Sequence, residues 1–155
     1  MKYVLIEEKN FDKIRKETKK NKGKKIIFSS NDDELNRKIL EKEPIGILLL
    51  KQKNRKDRLK QRNSGFNQVL AKITKKNNIS IGIDLDEIIS SSKSQVTQAK
   101  ILARVKQNIK LCNKNKIKMI FISLEKKNKR NPHDLKALEL ILGMPTWMLE
   151  NPINL

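Results

Sequence analysis

Acid–base and metal chemistry need titratable side chains in groups, and this chain offers few of them. Asp84 and Asp86 stand two positions apart at the end of an apolar stretch, where a strand end could let both carboxylates ligate one Mg²⁺. Such pairs more often cap a helix or solvate a loop. The single histidine, His133, falls in the first turn of a helix, and one imidazole cannot build a His-and-carboxylate metal cluster. There is no Gly-rich phosphate loop, no nucleophile elbow and no zinc spacing. Gly65, in Ser64-Gly65-Phe66, suits a turn before a helix, although that helix N-terminus could accept a phosphate. Cys112 lies on an apolar helix face, which makes it a small core residue rather than a reactive thiol.

The basic residues form the better constellation. Arg55, Lys56, Arg58 and Arg62 share one segment, and Lys129 and Arg130 share another. Both segments follow apolar runs that read as strands, so in a parallel α/β fold they meet at one end of the sheet. Arg104 is expected at the start of the polar side of a long helix. Arginine can hold a phosphate with two parallel hydrogen bonds, whereas lysine acts as a point charge. The few aromatics, Tyr3, Phe11, Phe28, Phe66 and Phe121 beside Trp147, mostly read as core. That argues against a base-stacking platform and for recognition of backbone and shape.

Composition agrees. The 155 residues carry 36 Lys and Arg against 17 Asp and Glu, a formal charge of +19. Polyanions, nucleic acid first, are the default partners of such a chain. Lysine far outnumbers arginine, so much of this charge can be plain solvated surface. With 37% hydrophobic residues the chain reads as a globular single domain over 1–155. No apolar run is long enough for a bilayer and no signal-peptide pattern opens the chain, so no membrane partner and a cytoplasmic location are expected. One cysteine excludes an internal disulfide.

The elements that would position these residues alternate in type. Strands are expected at Tyr3–Ile6, Lys25–Phe28, Ile45–Leu50, Ile79–Leu85 and Ile117–Ser123, the later ones being continuous apolar runs typical of parallel strands covered on both faces. Helices are expected around Phe11, Ile14 and Thr18; around Leu35, Ile39 and Leu40; and around Phe66, Val69, Leu70 and Ile73. A long helix over Lys100–Lys116 should bury Ile101, Leu102, Val105, Ile109 and Cys112. A last helix should run from an Asn131 cap and Pro132 to Gly143, burying Leu135, Leu138, Ile141 and Leu142. Asp86–Ile89 reads as a helical turn, Ser90–Ser94 as a polar loop, and Met144–Leu149 as a short helix with Trp147 packed back on the body. Lys51–Asn63 is a long basic loop with almost nothing to bury. Five strands alternating with five helices define an α/β fold with a mostly parallel sheet.

Blocks of this sequence resemble a known family. Asp33-Glu-Leu-Asn-Arg37, Ser64-Gly-Phe-Asn-Gln-Val-Leu-Ala-Lys72, Asn77-Asn-Ile-Ser-Ile-Gly-Ile-Asp-Leu85, Ala99-Lys-Ile-Leu-Ala-Arg104, Asn108-Ile-Lys-Leu111, Arg130-Asn-Pro-His-Asp-Leu135 and Leu140-Ile-Leu-Gly143 look, in this order, like protein component 3 of archaeal ribonuclease P. In eukaryotes the same family is the thirty-kilodalton subunit of ribonuclease P and ribonuclease MRP. The resemblance covers roughly Asp33 to Leu155. It implies a parallel (β/α) barrel-like fold related to metal-dependent phosphoesterases, here truncated or open at the N-terminal side, since five strands are too few to close it. It implies a non-catalytic subunit with no protein active site and no cofactor of its own. Catalysis and its Mg²⁺ would belong to the ribonuclease P RNA, which matures the 5′ end of precursor tRNA. Protein component 2 is the implied protein partner, and a two-plus-two assembly the implied form. Lys72 and Arg104 match basic positions of the family, and Arg130 opens its last-helix motif. The RNA-binding set expected is therefore Arg55, Lys56, Arg62, Lys72, Arg104, Lys129 and Arg130. A metal-dependent phosphoesterase and a general RNA-binding protein are the alternatives, the first weakened by the missing histidines.

Overall fold

A parallel strand cannot return to its neighbour through a tight turn and needs a crossover, usually a helix. The computed structural model, which describes residues 1–155, is built that way throughout. Strands β1 (Tyr3–Ile6), β2 (Lys25–Ser29), β3 (Ile47–Leu50), β4 (Ser80–Asp84), β5 (Met119–Ser123) and β6 (Ile153–Asn154) form one sheet in simple sequence order. Every pairing is parallel. The crossovers are helices α1 (Phe11–Lys20), α2 (Asp33–Lys42), α3 (Gln68–Lys76), α4 (Leu85–Ser90), α5 (Gln95–Asn115) and α6 (Pro132–Leu142). The sheet curls as an open half-barrel in which β1 and β6 are not paired.

Two apolar clusters hold it. The larger lies between the sheet and the helices and includes Phe28, Leu48, Ile81, Phe121, Ile39, Leu70 and Ile109. The smaller lines the inner face of the curl, with Ile27, Ile47, Leu49, Ile120, Ile122 and Ile153. Both faces of the strands are thus apolar, which explains their unbroken hydrophobic runs. The inner face is filled: a Cβ added to Gly82 would lie 2.8 Å from Ile122 Cδ1 and 3.1 Å from Leu49 Cδ1. Lys25 spans from the start of β2 to Glu150, ahead of β6, at 4.0 Å.

Helix ends follow local chemistry. Asn10, Asp32, Asn67, Asp84, Ser94 and Asn131 each cap a helix by accepting from backbone N–H groups of its first turn. Gly143 ends α6 in the left-handed conformation, at φ 78°.

Several sequence expectations are corrected. There are six strands rather than five. The segment 144–149 is not a helix; after one turn its backbone pairs with Met119, the Met119 N–H donating to Met148 and the Glu150 N–H to Met119. The edge of β5 needs those hydrogen bonds, and β6 continues the pairing. Met144 and Met148 are the buried residues there, while Trp147 stays 36% exposed with the Lys116 ammonium 5.1 Å from its ring centre. The long helix begins at Gln95, because Ser94 supplies a cap that the polar run Ser90–Ser94 conceals. Val69 and Ile141, expected in buried stripes, are exposed; Ala71 and Thr74 on α3 and Glu139 on α6 face inward instead.

Candidate nucleic-acid interface

The segment 51–67 joins β3 to α3 and has little apolar content, so polar groups must fix it. They come from three different helices. Arg104 on α5 donates from Nε to Asp57 Oδ1 at 3.0 Å, from Nη1 to the Gln52 carbonyl at 3.0 Å and from Nη2 to the Arg55 carbonyl at 2.8 Å. Arg55 donates from Nε to the Lys51 carbonyl and grips Asp33 of α2 with both Nη atoms, at 3.0 and 2.9 Å. Glu87 on α4 accepts from the Gln52 N–H at 2.7 Å and the Lys53 N–H at 3.3 Å. Gly65 has φ 71°, and a Cβ there would collide with the Arg55 guanidinium. A residue without a side chain is needed on both counts.

These contacts set the local electrostatics. The Arg104 hydrogen bond, then the Asn63 N–H, hold the Asp57 carboxyl below its ordinary range. Burial pushes the Asp84 carboxyl up, helped by the charge of Asp86. Burial also raises Glu87, against the pull of the Gln52 and Lys53 N–H groups. Burial alone pushes the Cys112 thiol up to about 12, fitting its place in the core.

With its base fixed, the loop ends in a two-residue hairpin. The Arg58 N–H donates to the Gln61 carbonyl at 2.9 Å and the Gln61 N–H returns to Arg58 at 3.3 Å. Leu59 at the tip is fully exposed. Arg58 and Arg62 flank the turn, exposed and outside every salt bridge.

The loop after β5 is fixed by Asp86. Its Oδ2 accepts from the N–H groups of Leu124 (2.7 Å) and Glu125 (3.2 Å), and its Oδ1 from Ser123 Oγ (3.1 Å) and Asn128 Nδ2 (2.8 Å). Asp84 instead caps α4 through the Glu87 N–H. The two aspartates therefore have separate structural tasks, and no three His, Cys, Asp or Glu side chains gather as metal ligands. Lys129 and Arg130 are exposed, and Arg130 donates to the carbonyls of Lys127 and Lys129 at 3.2 Å. His133 is exposed.

The structure therefore sorts the basic residues read from the sequence. Lys56, Arg62, Lys129 and Arg130 are exposed on loops that leave the carboxyl ends of β3 and β5. Lys72 is exposed midway along α3, away from those loops in sequence and on a helix face. Arg104, expected on the polar side of its helix, is 4% exposed, because three acceptors of the loop enclose its guanidinium. Arg55 is nearly as enclosed, its side chain 8% exposed. The acidic partners Asp33, Asp57 and Glu87 escape sequence reading; Asp86 was singled out there beside Asp84, and the structure gives it the loop-holding role rather than a metal. One signal for Asp57 was present: it is a lone carboxylate inside the run Lys53-Asn-Arg-Lys-Asp-Arg-Leu-Lys60, where an unpaired charge would have no purpose.

Fold and site together define a class: an open parallel α/β barrel whose loop end is cationic on the outside and tied beneath by two enclosed arginines. No family model matches the chain. It is similar to ribonuclease P protein component 3 of Methanococcus maripaludis (strain C7), 28% identical over 113 residues that cover 72% of this chain and 45% of the relative. Its fold is similar to that of a chain in the cryo-EM structure of archaeal ribonuclease P with mature tRNA, at a TM-score of 0.75 and 24% identity, covering 94% of this chain and 62% of that one. The resemblance seen in the sequence blocks recurs in the curated relative, of whose length this chain spans under half, and the solved structure shares the fold.

Proposed function

We propose that this protein is a subunit of a ribonuclease P ribonucleoprotein and supports the catalytic RNA in 5′ maturation of precursor tRNA. The observation that carries the reading is the sorting of charge on the two loops. Arg55 and Arg104 are enclosed and paired with carboxylates, while Arg58, Arg62, Lys56 and Lys129 are left exposed and without salt bridges. Phosphate neutralisation with counterion release is what such a surface does. The similarity to ribonuclease P protein component 3 names the RNA. On this reading the chain contributes no catalytic group; it lowers the Mg²⁺ that the RNA needs by screening phosphates. Protein component 2 is its protein partner and the cytoplasm its place of action.

The test is reconstitution with ribonuclease P RNA and the other protein components, scored by removal of the 5′ leader from precursor tRNA at low Mg²⁺. Leaving this protein out should raise the Mg²⁺ requirement. Leader removal by the RNA-free protein with Mg²⁺ or Mn²⁺, lost on Asp84→Ala, would instead make it a phosphoesterase. Equal affinity for any RNA would make it a general RNA-binding protein.

A further inference from the structure

Between the hairpin and α3 lies a cleft of about 320 Å³, at the small end of the ~300–1,000 Å³ usual for small-ligand sites. Arg58, Gln61 and Arg62 wall it on the hairpin side, with Glu34 from α2, Val69 from α3 and Gln107 from α5 opposite. Asp33 and Arg37 reach it too, but Asp33 is held by Arg55 and Arg37 by Glu41 at 3.0 Å. Three chemistries meet here. Arg58 and Arg62 are unpaired guanidinium groups, able to share a phosphate. Val69 is an apolar side chain left 54% exposed, over the buried Phe66 and Leu70. The amides of Gln61 and Gln107 offer both donors and acceptors, and Glu34 offers acceptors only. The Gln107 amide touches the loop only through long contacts, 3.4 Å to the Arg62 carbonyl and 3.5 Å to Ser64 Oγ, so it is free to turn to a ligand.

An anion site would need the arginines alone, and a protein groove would need a longer apolar strip. A phosphate clamp beside one apolar contact and several edge-reading groups matches an unpaired nucleotide. Unpaired RNA bases stack on aromatic rings or guanidinium planes and are read along their edges; with no exposed aromatic here, the sequence expectation of no stacking platform stands, and the Val69 side chain offers an apolar contact in place of a stack. We infer that this cleft takes one unpaired nucleotide of an RNA strand. Its phosphate lies between Arg58 and Arg62, and its base rests against Val69 within reach of Gln61, Gln107 and Glu34. The inference rests on the RNA-binding reading above and adds that part of the recognised RNA is single-stranded.

The full chain is titrated by fluorescence anisotropy with a labelled single-stranded RNA and with an RNA duplex of equal phosphate number, at several salt concentrations. The single strand should bind more tightly. Val69→Ser, through a lost apolar contact, and independently Gln61→Ala, through a lost hydrogen bond, should weaken single-strand binding roughly fivefold with duplex binding and the salt slope unchanged. Arg130→Ala should weaken both RNAs alike. Both cleft residues are exposed or on the hairpin, and unchanged circular-dichroism melts verify the fold. If neither cleft variant affects the single strand while Arg130→Ala weakens both, the nucleotide site falls and RNA binding stands. If the wild-type chain binds neither RNA, both fall. Adenosine monophosphate should compete at lower concentration than inorganic phosphate; equal competition reduces the cleft to an anion site and overturns the inference.

Discussion

The loop after β3 is held by two guanidinium groups, its own Arg55 and Arg104 of α5, that donate into backbone carbonyls and carboxylates, and by Glu87, which accepts two of its N–H groups; the loop after β5 is held by one carboxylate, Asp86, that collects N–H and O–H groups. Both loops are mostly polar, with Phe66 the buried apolar residue of the first and Leu124 packed on the inner cluster in the second, and both carry exposed cations. The difference follows from which backbone atoms point inward. Where the chain turns its carbonyls to the body, as it does only in the first loop, arginine holds it; where it turns its N–H groups inward, a carboxylate does, Glu87 in the first loop and Asp86 in the second. Basic sequence alone therefore says little about which cations meet a ligand, since the same residue type serves as internal strut and as external contact.

The largest expected effect is on the strut. Arg104→Ala removes three charged hydrogen bonds and leaves two inward carbonyls unpaired, while the half-exposed Asp57 returns to water; the expected cost is about 2–3 kcal/mol. Urea unfolding should show that loss, with hydrogen exchange of residues 51–63 accelerating first. Arg104→Lys should recover little, because an ammonium cannot reach three acceptors in a fork. A loss under about 1 kcal/mol would show that the loop supports itself.

Asp86→Ala comes next. It removes four hydrogen bonds to a charged acceptor and leaves inward N–H groups bare, for an expected cost of about 2–3 kcal/mol. The freed motion should be confined to residues 123–128, and spread to the hairpin would mean that the two loops are coupled rather than separately held.

The exposed pair should behave in the opposite way. Arg62→Ala with Arg130→Ala should change stability by no more than about 0.5 kcal/mol. The same double variant should flatten the salt dependence of RNA binding by ~0.7 to 0.9 for each phosphate that is no longer neutralised and reduce reconstituted cleavage at low Mg²⁺. Unchanged affinity, slope and activity would assign both residues to the solvated surface.

The smallest effect at ordinary pH is the titration of Asp57. Arg104 lowers its carboxyl in the folded state, so the pair stabilises above the unfolded value near 3.8 and that contribution is lost as pH falls through the folded value. Amide protection of the hairpin base should hold constant from about pH 7 to 5 and decline only below about 4. A decline already at about pH 6 would show that another group controls the loop.

The strands were legible because both their faces are apolar, so Ile47–Leu50 and Met119–Ser123 stand out as unbroken runs. Helix ends were legible where a cap is isolated, as at Asn131 and Gly143. Ser94 was hidden among other serines, so α5 looked shorter than it is. The two residues of β6 are too few to show any pattern. At the site, sequence brought the two basic loops to one end of the sheet. It could not tell Arg62 from Arg104, because Arg104 is buried by acceptors up to 52 positions away, and helical spacing alone put it on the polar face. Val69 misled in the same way: its spacing fits a core stripe, yet Ala71 and Thr74 turned inward and left it beside the cleft.

Arg104 and Asp57 are separated by 47 positions, which gives the hairpin a timetable. During synthesis the loop leaves the ribosome well before the helix that fastens it. At ~5–20 residues per second the interval is roughly two to nine seconds. For that time a run of cations lies open beside ribosomal RNA, with Asp57 as its one carboxylate. The nascent loop can meet Asp33 and Glu87 earlier, but its hairpin base is fastened only when α5 docks, so a chain stalled before Arg104 would present the hairpin's charge unfixed.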